Sequence, residues 1–336
     1  MTSGPPSHRR GDATPSHSGG ERLDVVPSVP SAGPHGDDAR RVALALGLDP
    51  DDVLDLAATM NPCAPDPSPT IARHADAARH YPEPAAAHAA LAAAMGVDPA
   101  RLVLTNGGAE AIALVASHLE RGHVEPPEFA LYEQHLELDP TAGRWRSNPH
   151  SPTGRLAHPD ERAAVWDEAF YPLTTGRWTR GDAGCWVVGS LTKLLGCPGL
   201  RAGYALAPSA DDATAIRRRQ PRWSVNALAC AALPEMLAAV DLAGWSAEIA
   251  RLRGALVDGL QHAGFTAEAG EAPWVLIAGS AGLRDRLAHH GVIVRDCASF
   301  GLPSHTRIAV PDRRGLDRLL GALERMNLPG TGWPFA

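Results

Sequence analysis

The sequence predicts an α/β protein in two parts: a mainly parallel sheet covered by helices on both faces, then a smaller α+β domain. Two observations carry this. Between residues 101 and 207 short apolar strands alternate with helical periods and turn signals, the pattern of a parallel sheet with crossover helices. Past Arg222 the pattern changes to two long helical segments, then strands, then a closing helix. A chain of 336 residues can bury about three quarters of its unfolded surface, enough for two domains.

The elements follow in order. Residues 1–34 are mostly Pro, Ser, Gly, His and Arg, lack the apolar core of a signal peptide, and are expected to be a disordered tail. Residues 35–80 read as an N-terminal arm, with a short helix over 41–46, an extended stretch over 53–57 and then Met60-Asn61-Pro62. Such an arm packs against a neighbouring chain or a second domain. The large domain is assigned to 81–220, where 101–104 reads as a strand, Thr105-Asn106-Gly107-Gly108 as a turn and 109–119 as a helix. Strand, glycine turn and helix direct unpaired N–H groups and the helix dipole at one point, a geometry that binds phosphate and that also occurs as a plain turn. Further strands are expected at 164–166, 185–188 and 203–207. The small domain, 221–336, is read as helices over 227–240 and 245–260, strands at 274–278, 292–295 and 307–310, and a helix over 315–326.

Composition narrows the function. Apolar residues at 44% and charged residues at 21% are those of an ordinary globular protein. A net charge of −7 argues against a general nucleic-acid binder, and Arg217-Arg218-Arg219 reads as a solvated helix face. Five cysteines without C-x-x-C spacing fit a reduced, cytoplasmic protein. Fifteen histidines include no H-E-x-x-H pattern, so no metal is expected, and no run of eighteen apolar residues suggests a membrane span.

The most informative residue is Lys193, the single lysine of a chain with thirty arginines. Arginine supplies charge and phosphate contacts equally well, but its guanidinium stays protonated and cannot act as an amine nucleophile. Lys193 follows the apolar run 185–188 in Gly189-Ser190-Leu191-Thr192-Lys193, at a strand end, where open α/β sheets gather their active sites. Three segments accompany it: the turn Asn148-Pro149-His150-Ser151-Pro152-Thr153-Gly154, Asp167-Glu168-Ala169-Phe170 at a strand end, and Pro198-Gly199-Leu200-Arg201-Ala202-Gly203-Tyr204. Each alone reads as a loop or strand terminus. Their order and spacing give them meaning.

With these motifs the chain resembles the class I/II aminotransferase superfamily, the fold type I enzymes dependent on pyridoxal 5′-phosphate, from His35 to the C-terminus. The resemblance implies that Lys193 forms a Schiff base with the cofactor, that Asp167 pairs with its pyridinium nitrogen, and that Asn148 bonds its ring hydroxyl. It gives the phosphate to the N–H groups of Gly108 and Ala109 and to Ser190, Thr192 and Arg201, and the ring face to Phe129 in Pro127-Glu128-Phe129. Tyr81, in His80-Tyr81-Pro82, matches a tyrosine that reaches the phosphate from a partner subunit, which implies a homodimer with shared sites. Arg307 matches a substrate-carboxylate clamp, and Arg295 an arginine used on phosphorylated substrates; a structural salt bridge is the alternative for both.

Ser190-Leu191-Thr192-Lys193, Trp223-Ser224-Val225-Asn226-Ala227 and His35-Gly36 are most similar to the threonine-phosphate decarboxylase branch of cobalamin biosynthesis, with histidinol-phosphate aminotransferase next. The expected activity is decarboxylation of a small phosphorylated amino acid, the alternatives being a transaminase and a non-catalytic relative of the fold. The chain also departs from the family. Only fifteen residues separate Tyr132 from Asn148, where the family carries a strand-helix-strand excursion, so a shortened sheet is expected. Phe170 replaces a tyrosine that touches the ring oxygen, and His150-Ser151 replaces two asparagines.

Overall fold

The structure, a computed structural model, describes residues 28–33 and 35–326 together with Met1 and Gly4. The tail expected over 1–34 therefore lies mostly outside the described residues. Its described part, 28–33, lies along the small domain, where Arg284 donates to the Pro30 carbonyl at 2.9 Å and Arg41 to that of Ser31 at 2.7 Å.

Among the described residues, twelve strands form two sheets. In chain order they are β1 (Leu54–Leu56), β2 (Leu102–Thr105), β3 (Arg121–Val124), β4 (Glu137–Leu138), β5 (Arg144–Ser147), β6 (Val165–Asp167), β7 (Trp186–Ser190), β8 (Gly203–Leu206), β9 (Ala267–Glu268), β10 (Trp274–Ile277), β11 (Val292–Asp296) and β12 (Thr306–Ala309). The large sheet runs β2-β8-β7-β6-β5-β3-β4 and is parallel except for β8, which is antiparallel to both β2 and β7. The small sheet runs β1-β11-β12-β10-β9, so the arm supplies β1 as an edge strand parallel to β11. The expected strands at 101–104, 164–166, 185–188, 203–207, 274–278, 292–295 and 307–310 all form, displaced at their ends by a residue or two. The helix Gly107–Leu119 packs on β7 and β8, and the helix Leu242–His262 buries Leu252, Leu256 and Leu260 against the small sheet.

The expected shortening spares the sheet and falls on its helices. β4 and β5 both form, but only residues 139–143 join them, and 148–164 link β5 to β6 without a helix. Parallel neighbours normally need a crossover of a dozen or more residues. Here β4 pairs only with the start of β3 (Arg121↔Glu137) and β5 only with its end (Val124↔Trp145), so the chain steps across β3 midway. Gly122 sits under that step, where a Cβ would meet Leu136 at 2.8 Å and Trp145 at 2.7 Å.

A charged lattice covers the sheet where no crossover helix lies. The Arg180 and Arg146 guanidiniums stand 4.7 and 5.8 Å from the centre of the fully buried Trp166 ring, whose N–H donates to Asp182 at 3.1 Å. Arg180 also pairs with Asp182 at 2.8 Å and donates to the carbonyls of His158, Pro159 and Glu161, closing the loop onto the sheet. Arg180→Ala is expected to lower stability by about 2 kcal/mol, read as a lower thermal midpoint, because it uncovers an aromatic face and releases three carbonyls. Arg162→Ala, on the exposed side of the same loop, should change it by less than about 0.5 kcal/mol. Equal effects would show that Arg180 adds nothing special.

Candidate active site

The carboxyl ends of β6 and β7, the first turn of the helix Gly107–Leu119 and the facing strands β11 and β12 enclose a cavity of about 480 Å³. That position follows from the sheet, because parallel strands leave their carboxyl ends and the N-termini of following helices at one edge.

Lys193 enters from the short helix Leu191–Leu194, directly after β7. The arm holds this turn in place: the Asn61 N–H donates to the Lys193 carbonyl at 3.0 Å, and the Asn61 side chain to that of Leu194 at 2.9 Å. Burial, aided by the charges of Arg307, Arg201 and Arg295, pushes the Lys193 amine down to about 8, while Asp55 on the cavity wall opposes the shift. Roughly a fifth of the amine is then neutral, and nucleophilic, near physiological pH, far more than for an ordinary lysine.

Gly108, Ala109, Ser190, Thr192 and Arg201 converge at one end of the cavity. Gly107 has φ of 77° and lies directly beneath the Arg201 guanidinium, where no side chain fits. Arg201 itself is held at φ of 55°, an uncommon conformation for a residue with a side chain. Helix N–H groups, two hydroxyls and a guanidinium here form an anion cradle. Asp167 also lines the cavity; it accepts from the Tyr132 hydroxyl at 2.8 Å and the Ala169 N–H at 3.0 Å, and burial raises its carboxyl above the usual range. Phe129 and Phe170 line the wall as well, and the His35 ring meets Phe129 edge-on at 5.9 Å.

Arg295 on β11 and Arg307 on β12 are Cα partners, each only 5% exposed, and both line the cavity. Their guanidiniums share the Phe300 ring, at 4.7 and 5.9 Å, and Arg307 also covers Trp274 at 4.9 Å. Burial, and then the charge of Arg295, holds Arg307 down at about 9. Arg307 donates to Ser151 Oγ at 3.2 Å and makes no ion pair among the described residues. The arm crosses this pair at Gly36, where a Cβ would meet Arg295 Nη1 at 2.9 Å.

Two expected residues stand elsewhere. Asn148 is buried but does not line the cavity: its side-chain oxygen accepts the Ala157 N–H at 2.9 Å, and the turn presents Ser147, Pro149 and Ser151 to the cavity instead. Tyr81 is 73% exposed and tilted against the exposed Trp223 ring at 4.7 Å, away from its own chain's cavity. Sequence reasoning missed Asn61, Asp55, Ser151 and the buried Thr59. Met60-Asn61-Pro62 was a visible signal for the first; the others carry none.

The residues present fit pyridoxal phosphate. Around one cavity they offer helix N–H groups with hydroxyls and a guanidinium for a phosphate, aromatic rings, a buried carboxylate and a lysine amine. Buried Thr59 Oγ1 on the wall and Arg307 Nε have no hydrogen-bond partner within the described protein, as expected of polar atoms that face a ligand.

The sequence pattern of the family described as Aminotransferase class I and II matches residues 130–323. The chain belongs to that family. Among characterised relatives, the class I/II aminotransferase-family chain is 30% identical over 346 residues to histidinol-phosphate aminotransferase of Haloarcula marismortui, covering 85% of this chain and 93% of that one. It is also 30% identical over 356 residues to threonine-phosphate decarboxylase of Salmonella typhimurium, covering 87% and 96%. Its fold matches that of histidinol-phosphate aminotransferase from Sinorhizobium meliloti, solved in complex with pyridoxal-5′-phosphate, with a TM-score of 0.76, 19% identity, and coverage of 92% of this chain and 98% of that one.

Proposed function

We propose that this aminotransferase-family enzyme binds pyridoxal 5′-phosphate through Lys193 and acts on a small amino acid that carries both a carboxylate and a phosphate, as threonine-phosphate decarboxylase of cobalamin biosynthesis does. The observation that carries the substrate class is the Arg295–Arg307 pair, two adjacent buried cations on the wall of one cavity. Among the described residues Arg307 makes no ion pair, and a buried guanidinium without one costs stability, so a carboxylate bound in the cavity would neutralise it, with the Arg295 guanidinium beside it on the same wall for a second anionic group.

When bound, the cofactor supplies an electron sink for the bond broken at the substrate α-carbon. The chain supplies the rest. Lys193 holds the cofactor in the resting site and, once released, carries protons to and from the reacting carbon. Asp167 holds the ring-nitrogen proton. Gly108, Ala109, Ser190, Thr192 and Arg201 bind the phosphate, Phe129 covers the ring, and Ser151 offers a hydroxyl from the turn in the place expected for Asn148. Arg307 and Arg295 fix the two anionic groups of the substrate, and so decide which α-bond stands perpendicular to the ring. Tyr81, with its exposed side chain, is assigned to the cavity of a second copy in a homodimer.

A transaminase acting on histidinol phosphate is the second reading, favoured by the equal identity to the Haloarcula marismortui enzyme. Threonine phosphate should release CO2 in the presence of the loaded enzyme. Histidinol phosphate with 2-oxoglutarate should give no glutamate; glutamate without CO2 would reverse the order of the two readings. A protein with no borohydride-fixed cofactor on Lys193 would be a non-catalytic relative.

A further inference from the structure

One carboxyl beside the site takes no part in the roles above. Glu128 immediately precedes the ring-covering Phe129, is 8% exposed and does not line the cavity. Among the described residues its one ion-pair neighbour is His150, with Nε2 3.9 Å from Oε1, and burial holds that imidazole toward its neutral form. Hydrogen-bond donors hold the carboxyl instead. Oε1 accepts the Ser147 N–H at 3.0 Å, and Oε2 accepts the Ser147 hydroxyl at 2.6 Å and the Phe129 N–H at 3.2 Å. The buried Ser147 is the register partner of Asp167 across β5 and β6, and the fully buried Tyr132 phenol donates to Asp167 Oδ2 at 2.8 Å. The two carboxyls thus sit about one strand pair, each bonded by a buried hydroxyl.

We infer that Glu128, bonded to Ser147, and Asp167, beside Ser147 across the strand pair, together hold one proton, which makes Glu128 a positioning residue that sets the charge on Asp167. The inference rests on the reading of Asp167 as the partner of the ring nitrogen. Two ionised carboxylates in one low-dielectric pocket repel, so the pair holds a proton at pH values where each alone would be ionised. Position decides where it sits. Asp167 lines the cavity, where a cation can face it, whereas Glu128 is sealed behind the wall. With the proton on Glu128, the Tyr132 hydroxyl and the Ala169 N–H still donate to Asp167 and favour its anion. Glu128 is accordingly pushed up to about 7, by burial first and with the Asp167 charge adding to it. The other titratable or charged groups that face it are Tyr132, His150 and, from β5, Arg146, which feels the Glu128 charge. As pH rises through about 7 a second negative charge appears behind Asp167 and strengthens its hold on a protonated ring nitrogen.

Difference infrared spectra of the full-length, cofactor-free protein test this, with wild type compared against Glu128→Gln and the protonated-carboxyl band followed with pH. The band should be lost in Glu128→Gln, and its midpoint in wild type should lie near 7, above the ordinary glutamate value near 4.5. Asp167→Asn should lower the midpoint by about one pH unit or more. A midpoint near the ordinary value, or one unmoved in Asp167→Asn, overturns the shared proton. Borohydride fixation on Lys193 is read separately on the same protein, so a midpoint that behaves as expected where no cofactor is fixed supports the shared proton and overturns the cofactor reading alone.

Discussion

Lys193→Arg is expected to keep a positive charge at the end of β7 and to lower turnover at least about a thousandfold, because a guanidinium cannot serve as the nucleophilic amine. The chain has no second lysine, so borohydride-fixed cofactor should vanish from every side chain in the variant. Fixation that persists on another side chain, or turnover within tenfold of wild type, would remove Lys193 from the chemistry. The amine's own titration adds a check that needs no turnover. Burial, then Arg307, Arg201 and Arg295, holds it down at about 8, so labelling of the cofactor-free protein by a small aldehyde should rise with a midpoint near that value instead of the ordinary 10.5. The sign for stability follows. Between about 8 and 10.5 the unfolded chain binds a proton that the folded chain has released, so this group's contribution to stability rises with pH across that window. Arginine stays charged throughout, and in Lys193→Arg that rise should disappear from the thermal midpoint.

The groups that stand at the cavity as expected are those whose position follows from local context. Lys193, Asp167 and Arg201 each follow a strand end or glycine turn, and the topology brings such ends to one edge regardless of loop detail. Arg295 and Arg307 lie on two strands, buried over almost their whole length, that register directly opposite each other. What was illegible depends on geometry that a pattern of residue types does not encode. β3 reads Arg-Gly-His-Val, with Arg121 paired to Asp139, and β5 reads Arg-Trp-Arg-Ser, with Arg146 over Trp166; these charges hide both strands from a search for apolar runs. The charged lattice over Trp166 explains how the sheet keeps its strands while losing crossover helices. Asn148 and Ser151 occupy one turn with Pro149 and Pro152, and only its backbone path decides which of them faces the cavity. Glu128 and Ser147 meet across nineteen residues, and Tyr132 and Asp167 across thirty-five, through contacts that exist only after the sheet has formed.

Arg307 should show opposite effects on stability and on activity. Its guanidinium is buried beside Arg295, stacked on Trp274 and Phe300, bonded to Ser151, and paired with no carboxylate among the described residues. A buried charge without a counter-charge destabilises the fold, and Met fills a similar volume without that penalty. Arg307→Met is therefore expected to raise the stability of ligand-free protein by about 1–3 kcal/mol, measured as a higher denaturant midpoint. The same change should lower kcat/KM for a carboxylate-bearing substrate by roughly a hundredfold to a thousandfold, about 3–4 kcal/mol, because a two-point charged contact is lost in a water-poor site. Arg307→Lys, which keeps a charge and loses the planar fork, should fall between on activity and gain little stability. A structural salt bridge, the alternative for this residue, predicts a different pattern: both stability and activity would fall in Arg307→Met. An anionic ligand gives the last discrimination. Threonine phosphate should raise the thermal midpoint of wild type and leave that of Arg307→Met nearly unmoved, since ligand stabilisation scales with affinity for the folded state. Equal shifts in both proteins would place the anionic groups of the substrate elsewhere in the cavity.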